Sequence, residues 1–312
     1  MLDISDLHTW FATPAGRVHA VNGVDLQLRA GQRLAIIGES GCGKSVLAQT
    51  LFRLLPANAH SSGRILLNGQ DVLHLPEAAI SALRGRAIGL IPQHLSALNP
   101  LLRIGVQLAE AINPALSLWG LRHLRHQVAE KLQQVALPAS TAARFPHELS
   151  GGMCRRVLIA SGTARNPGFL VADEPTTGLD RILRARIVRL LDQLTAGKTL
   201  LLITHDIEVA HFCDTLAVMY AGRIIEQGPT ATVLAQPQHP YTRGLLASMP
   251  SRGMQAIAGL SPSLIDLPQG CTFHPRCPHA TERCRSQCPG LSASAAQAGV
   301  LVRCHHAESL SC

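Results

Sequence analysis

Gly38-Glu39-Ser40-Gly41-Cys42-Gly43-Lys44-Ser45 is the stretch on which the reading of this chain turns. A Gly, four residues, then Gly-Lys-Ser is the pattern of a phosphate-binding loop. The apolar run Arg33 to Ile37 before it predicts a buried strand, and Val46 to Leu55 after it predicts a helix stopped by Pro56. A strand, a Gly-rich turn and a helix start are the context the pattern requires. Glycines bring backbone N–H groups close to phosphate oxygens, and the helix start adds positive potential. Lys44 is placed to meet β- and γ-phosphates, and the Ser45 hydroxyl to ligate Mg²⁺. A Gly-rich turn without a ligand is the plain alternative, and the flanking strand and helix weigh against it.

The chain has 312 residues, enough for one large domain and a small one, or for two domains. Hydrophobic residues make up 46%, ample for a core, but aromatics only 3%, too few for platforms that stack single-stranded nucleic acid. The net charge of +8 comes from 28 Lys and Arg against 20 Asp and Glu, spread along the chain as on an ordinary solvated surface. Polar residues begin at Asp3, so no signal peptide is expected, and no run approaches the ~18 apolar residues of a membrane span. A cytosolic chain is the expectation. There, nine cysteines argue for metal or cluster ligands rather than disulfides.

Working outward, Leu2 to Leu7, Val18 to Val21 and Val24 to Leu28 predict short antiparallel strands. Trp10 and Phe11 fall in the first connection, as core aromatics or as a stack for adenine. Gly63 to Gly69 predicts a strand ending in an Asn-Gly turn. Ala87 to Ile91 is a buried strand leading to Gln93, an amide that can point at a γ-phosphate and its Mg²⁺ or serve only the loop. Leu101 to Leu137 reads as helical, broken at Pro114. Leu149-Ser150-Gly151-Gly152-Met153 opens another helix with Ser150 as N-cap, a second anion site far from the first. Phe169 to Pro175 is a hydrophobic strand ending in two carboxylates. Asp173 suits the Mg²⁺ side and Glu174 the polarisation of an attacking water. A turn through Asp180 precedes a helix whose face is Leu183, Ile187, Leu190, Leu191 and Leu194. Thr199 to Thr204 is the next strand, ending at His205, a γ-phosphate partner or a structural histidine. Leu216 to Glu226 forms a hairpin. Beyond Gly228, a Pro-punctuated linker with His239 to Thr242 leads to a tail holding Cys271, Cys277, Cys284, Cys288, Cys304 and Cys312.

In this order, Gly38–Ser45, Gln93, Leu149–Met153, Asp173–Glu174, Asp180 and His205 resemble the ATPase subunit of ABC transporters, over roughly residues 1–235. The resemblance implies an α/β fold. Its parts are a RecA-like P-loop ABC ATPase core, an N-terminal antiparallel β subdomain, an inserted helical subdomain at about 93–165, and a small Cys-rich C-terminal domain at 236–312. It implies that two such subunits sandwich two ATPs. The loop Gly38, Glu39, Ser40, Gly41, Cys42, Gly43, Lys44 and Ser45 binds one nucleotide, with Phe11 near its base. Ser150, Gly151 and Gly152 then meet the partner's nucleotide, and Asp180 is a further nucleotide-binding residue. Glu174, His205 and Gln93 form the catalytic set, and Ser45, Gln93 and Asp173 the Mg²⁺ set.

Several further segments resemble the dipeptide, oligopeptide and nickel importers within that family. They include Phe11 to Gly16, Leu98-Asn99-Pro100, Pro146 to Met153, His239 to Thr242, Pro262-Ser263-Leu264 and Gly270 to Pro278. This implies an energy-coupling ATP hydrolase at the cytoplasmic face of the inner membrane, for di- or oligopeptides, nickel or a nickel chelate. Implied partners are a second ATPase subunit, two integral permease subunits and an extracytoplasmic solute-binding protein. The alternative is a soluble ABC-type ATPase acting on nucleic acid or ribosomes. A single cassette without a long heptad run argues against it, so no nucleic acid partner is expected. Members with this tail have cysteines matching Cys271, Cys277, Cys284 and Cys304, some holding a 4Fe–4S cluster. Four thiolates also suit zinc, but gaps of five, six and nineteen residues are wide for it. Free thiols remain the third reading, and Cys288 and His274 are alternate ligands. Cys42 and Cys213 read as packed small residues.

Three features depart from the family pattern. The loop after Gln93 is one residue short, Cys154 stands where a long side chain is common, and Gly162 interrupts a helix at ~1 kcal/mol against Ala.

Overall fold

Burial alternates along the first strand, at Leu2 and Ile4 and again at Leu7 and Thr9. Between the two pairs the register with the neighbouring strand shifts, and Asp6 takes φ 45°. The added residue lets both halves keep their apolar side chains on one face, as a bulge does. The strand therefore runs from Leu2 to Thr13, beyond the expected end at Leu7. Trp10 and Phe11, expected in a connection, lie within it. Gly16–Leu28 returns antiparallel as one strand rather than two. Ala59–Leu67 flanks the first strand on its other side. It turns through Asn68 and Gly69, both at positive φ, into Gln70–Asp71. The predicted Asn-Gly turn is thus present.

The structure, a computed structural model, describes residues 1–115, 123–249 and 253–307. It divides into two units, Met1–Leu75 with Ile203–Cys312, and Pro76–Leu202. The first contains the four-stranded antiparallel sheet. It also contains the strand Arg33–Ile37, which pairs in parallel with Thr215–Tyr220. That strand continues antiparallel to Arg223–Pro229, and the short strands Leu301–Val302 and Ser292–Ala293 extend the same sheet.

The described residues from 236 on, expected as the C-terminal domain 236–312 with its Pro-punctuated linker, fall in this first unit. The reason is buried contact. His239, Pro240, Tyr241 and Thr242, predicted as linker, are buried at the start of the helix Pro240–Ala247. Tyr241 packs on Tyr220 with ring centroids 4.5 Å apart, and Phe273 meets both rings edge-on. The carboxylate of Glu226, fully buried in the hairpin, accepts from the Gln238 and His239 N–H groups at 2.7 and 3.0 Å. Arg303 donates to the Ile224 and Pro289 carbonyls. Leu264 accepts from the His19 N–H at 2.7 Å. The expected Pro250 and Cys312 lie outside the described residues.

In the second unit, Ile88–Ile91 and Phe169–Asp173 pair in parallel, and residues 199–202 of the strand Thr199–Ile203 lie beside the latter. Continuous apolar runs form these strands, as expected where both faces are covered. The helical segment resolves into Ile104–Ile112 and Arg125–Gln134, followed by short 3-10 turns. The helical pattern across 116–122 lies outside the described residues. Leu124, Val128, Leu132 and Val135 are buried as their spacing predicts.

The helix Gly151–Gly162 packs on Ile88–Ile91 through two residues that lack a side chain. A Cβ on Gly162 would stand 2.6 Å from the Leu90 carbonyl oxygen, and one on Gly89 would stand 2.4 Å from the Gly162 oxygen. Gly162 is thus the contact that lets helix and strand approach, at the helix's last residue. Gly162→Ala should therefore destabilise the protein by roughly 1–3 kcal/mol through overpacking, against the ~1 kcal/mol gain that helix propensity alone suggests. Urea unfolding of the two proteins measures the sign.

Candidate active site

The first unit carries the phosphate loop. The strand Arg33–Ile37 enters it and the helix Lys44–Phe52 leaves it. Gly43 takes φ 107° at the helix start, and a Cβ there would lie 2.0 Å from the Ala20 carbonyl oxygen. The antiparallel sheet thus presses directly on the loop. Gly43 also supplies no side-chain oxygen to cap the helix, which suits a start meant for an external anion. Lys44 is buried. Its Nζ donates to the Gly38 and Glu39 carbonyls at 2.8 and 3.0 Å, which holds the ammonium inside the loop. Ser45 is half-buried beside it, whereas Ser40 and Gly41 form the exposed outer turn. Cys42 is buried, and burial pushes its thiol up.

Glu39, expected at a nucleotide, is engaged by residues of the C-terminal segment. Its N–H donates to the Tyr241 hydroxyl at 2.9 Å, and its carboxylate faces Arg276. Burial would raise this carboxyl, but hydrogen bonds from Arg276 and Ser261 outweigh burial and hold it below the usual range. Phe11 is half-buried on the sheet, opposite Val18 and Ala59, so it is not a fully buried core aromatic. Trp10 stacks on His60 at 5.7 Å. Thr204 donates its N–H to Ile36, so the exposed His205 follows directly beside the strand that enters the loop.

The second unit holds the other expected groups. Asp173 and Glu174 are both buried at the end of their strand. Glu174 adopts φ 49°, a left-handed conformation uncommon for a non-glycine residue and concentrated at functional sites. Its Oε2 accepts from the Thr177 hydroxyl at 2.8 Å, which orients the carboxylate. Gln93 is half-buried, and its carbonyl accepts from Arg155 at 2.8 Å. The Arg155 guanidinium also donates to the Pro92 carbonyl at 3.1 Å and lies in the field of Glu174 and Asp173. It ties the helix Gly151–Gly162 to the Gln93 loop.

Sequence reading missed Arg155. A signal exists, because Arg155 shares a helix face with Ile159 and Gly162, the face toward the strand. Tyr241 and Arg276 were missed because only tertiary folding brings them to Glu39.

Ser150 caps its helix, its Oγ accepting from the Met153 N–H at 3.3 Å, and Ser150 and Gly151 are exposed. Asp180, expected at a nucleotide, caps the helix Arg181–Leu194 by accepting from Ile182 and Leu183, each at 2.9 Å. Cys154 is buried and donates to the Pro146 carbonyl, so a thiol suffices where a long side chain is common.

In the tail, the Cys271 N–H donates to the Cys284 carbonyl at 2.8 Å. Burial pushes the Cys271 thiol up to about 11, with Cys284, Cys304 and Cys277 pushing the same way. The four thiols are therefore within electrostatic reach of one another. Among the described residues, however, no three His, Cys, Asp or Glu are gathered as a metal-holding group. The donor chemistry, four thiolates, fits a metal. Of the alternate ligands, Cys288 is exposed and His274 Nδ1 lies 3.0 Å from the Cys271 carbonyl. His306, not expected, has Nε2 3.4 Å from Cys284 Sγ.

A phosphate loop, a strand ending in paired carboxylates and a Ser-capped glycine helix define an ATP-binding cassette. Residues 21–177 match the ABC transporter family, and the chain belongs to it. Residues 225–284 match the oligopeptide/dipeptide transporter C-terminal region. The chain is 42% identical over 300 residues to the oligopeptide transport ATP-binding protein OppD of Salmonella typhimurium, covering 93% of this chain and 89% of that protein. It is 40% identical to the probable D,D-dipeptide transport ATP-binding protein DdpD of Escherichia coli, covering 94% and 93%. The fold resembles a dimeric bacterial ABC transporter cassette with a TM-score of 0.65 and 27% identity, covering 74% of this chain and 99% of that one. A related dimeric cassette structure, bound to ADP and phosphate after hydrolysis, gives a TM-score of 0.64 at 28% identity, covering the same shares. No helix of the described residues is long and apolar enough to cross a membrane.

His239 gives a pH test of the tail's packing. It is wholly buried, caps its helix by accepting from the Tyr241 N–H, and is pushed down to about 3 by burial. An unfolded imidazole titrates near ~6.5. Between those values the unfolded chain takes up a proton that the folded chain refuses. The contribution is complete above the unfolded value and is lost as pH falls below it. Glu226 works the other way, since burial raises its carboxyl, so the comparison is with His239→Asn, which keeps a capping oxygen. From pH 7 to pH 5 the wild type should lose about 2 kcal/mol more than His239→Asn. Equal losses in urea unfolding would show that the imidazole is not held neutral.

Proposed function

We propose that this chain is the ATP-hydrolysing, energy-coupling subunit of a peptide importer, and that the residues above act on the nucleotide as follows. The observation that carries the reading is the buried Lys44 ammonium held inside a Gly-rich loop at an uncapped helix start. Such a charge, with surrounding N–H groups, meets β- and γ-phosphates. The hydroxyl of Ser45, the amide of Gln93 and the carboxylate of Asp173 are hard oxygen donors, which suit Mg²⁺. Bound there, Mg²⁺ would neutralise charge on the transferring phosphoryl group. Glu174 polarises the attacking water, with Thr177 fixing its carboxylate, and His205 hydrogen-bonds the γ-phosphate. Phe11 lies near the base. Ser150, Gly151 and Gly152 serve the ATP of a second subunit, because their exposed helix start offers an anion site apart from the chain's own loop. Asp180 acts with them by fixing the turn after Glu174.

Closure of the ATPase pair then drives two integral permease subunits, at the cytoplasmic face of the membrane, with a solute-binding protein delivering cargo. The names of the two relatives above specify oligopeptides and D,D-dipeptides, which favours peptides over nickel. The tail holds a 4Fe–4S cluster on Cys271, Cys277, Cys284 and Cys304. Their mutual electrostatic reach and wide spacing support this reading.

Glu174→Gln should bind ATP normally and lower turnover by at least ~100-fold. Steady-state hydrolysis within a few-fold of wild type would remove the assigned role. Mixing a Ser150→Ala subunit with a Lys44→Ala subunit should give one working site per mixed pair, where either variant paired with itself gives none. No hydrolysis in the mixture would mean that Ser150 does not act across the pair. Anaerobically purified protein should be brown with about four irons per chain. One tightly held zinc would replace the cluster, and no metal would remove it.

A further inference from the structure

The Glu39 carboxylate sits within the loop that is to hold a polyanion. Placed there without restraint, it would repel phosphate and compete for the Lys44 ammonium, whose charge it already feels. The structure restrains it. Arg276 meets it fork to fork, Nη1 to Oε2 at 3.0 Å and Nη2 to Oε1 at 3.1 Å. Ser261 Oγ donates to Oε2 at 2.5 Å. The guanidinium is itself fixed. Nε donates to the Ala258 carbonyl at 3.0 Å, and the group lies over the Tyr220 and Phe273 rings at 5.8 and 5.9 Å. The Arg276 side chain is only 5% exposed, against 27% for Glu39. Bidentate geometry of this kind fixes direction as well as charge.

We propose that Arg276 is a positioning residue for ATP binding. It neutralises the Glu39 carboxylate and turns it away from Lys44, which keeps the ammonium for the nucleotide's phosphates. The proposal rests on the reading of Gly38–Ser45 as the phosphate site. It also gives the Cys-rich tail a part in nucleotide affinity, since Arg276 stands next to Cys277 and 237 residues from Glu39.

The test measures the dissociation constant of Mg–ATP for the full chain and for Arg276→Gln, Glu39→Gln, the double variant and Lys44→Ala, with each variant's thermal midpoint. Arg276→Gln should weaken ATP binding roughly tenfold, the effect of one uncompensated nearby charge. Adding Glu39→Gln should restore affinity to within about threefold of wild type, because the offending charge is gone. A merely structural role predicts the opposite, since the double variant lacks the ion pair too. Unchanged affinity in Arg276→Gln, or no recovery in the double variant, overturns the proposal. Where Arg276→Gln does not fold, Arg276→Lys replaces it, keeping the charge and losing the fork. It should weaken ATP binding about threefold or more, reversibly by Glu39→Gln, and equality with wild type overturns the proposal. Lys44→Ala separates the two readings. ATP retained there sinks the phosphate-loop assignment. ATP lost there, with Arg276→Gln unaffected, sinks only the role of Arg276.

Discussion

A backbone carbonyl, that of Ala20, occupies the space where Gly43 would carry a side chain. This close approach sets the loop's shape. It positions the start of the helix Lys44–Phe52 against the antiparallel sheet, and the Lys44 ammonium is then buried among the loop's own carbonyls. A phosphate site needs backbone N–H groups at short range, and only a residue without Cβ lets two backbones meet so closely.

The same loop is gripped from its other end. Tyr241 accepts the Glu39 N–H, and Tyr241 belongs to a cluster with Tyr220 and Phe273 that joins helix, hairpin and Cys-rich tail. All three rings are buried, so the tail packs apolar surface onto the helix and the hairpin. Glu226 completes the junction by accepting two backbone N–H groups that burial would otherwise leave without partners. A tail remote in sequence from the loop is thereby part of its support.

In the second unit, the organising contact is again a place where side chains are missing. Gly89 and Gly162 bring the helix Gly151–Gly162 close to its strand, and Arg155 on the same helix then reaches the Pro92 and Gln93 carbonyls. A buried guanidinium among carbonyls near two carboxylates links the glycine-rich helix end to the Gln93 loop and the acidic strand end. Glu174, at positive φ, shows where the strand end departs from ordinary geometry.

The sequence by itself determined the strand–loop–helix around Lys44, the acidic strand end at Asp173 and Glu174, the Ser150 cap and the hairpin through Ala221-Gly222. All are local patterns, where periodicity, capping and turn chemistry act over a few residues. It also carried the family, because the order of those patterns is specific. Tertiary structure alone decided the rest. The strand Leu2–Thr13 continues through a bulge because the partner strand re-registers it. His239 to Thr242 is core rather than linker, and Arg276 meets Glu39 across most of the chain. Burial of aromatic rings and pairing of charges depend on which distant segments meet, and no local spacing encodes that meeting.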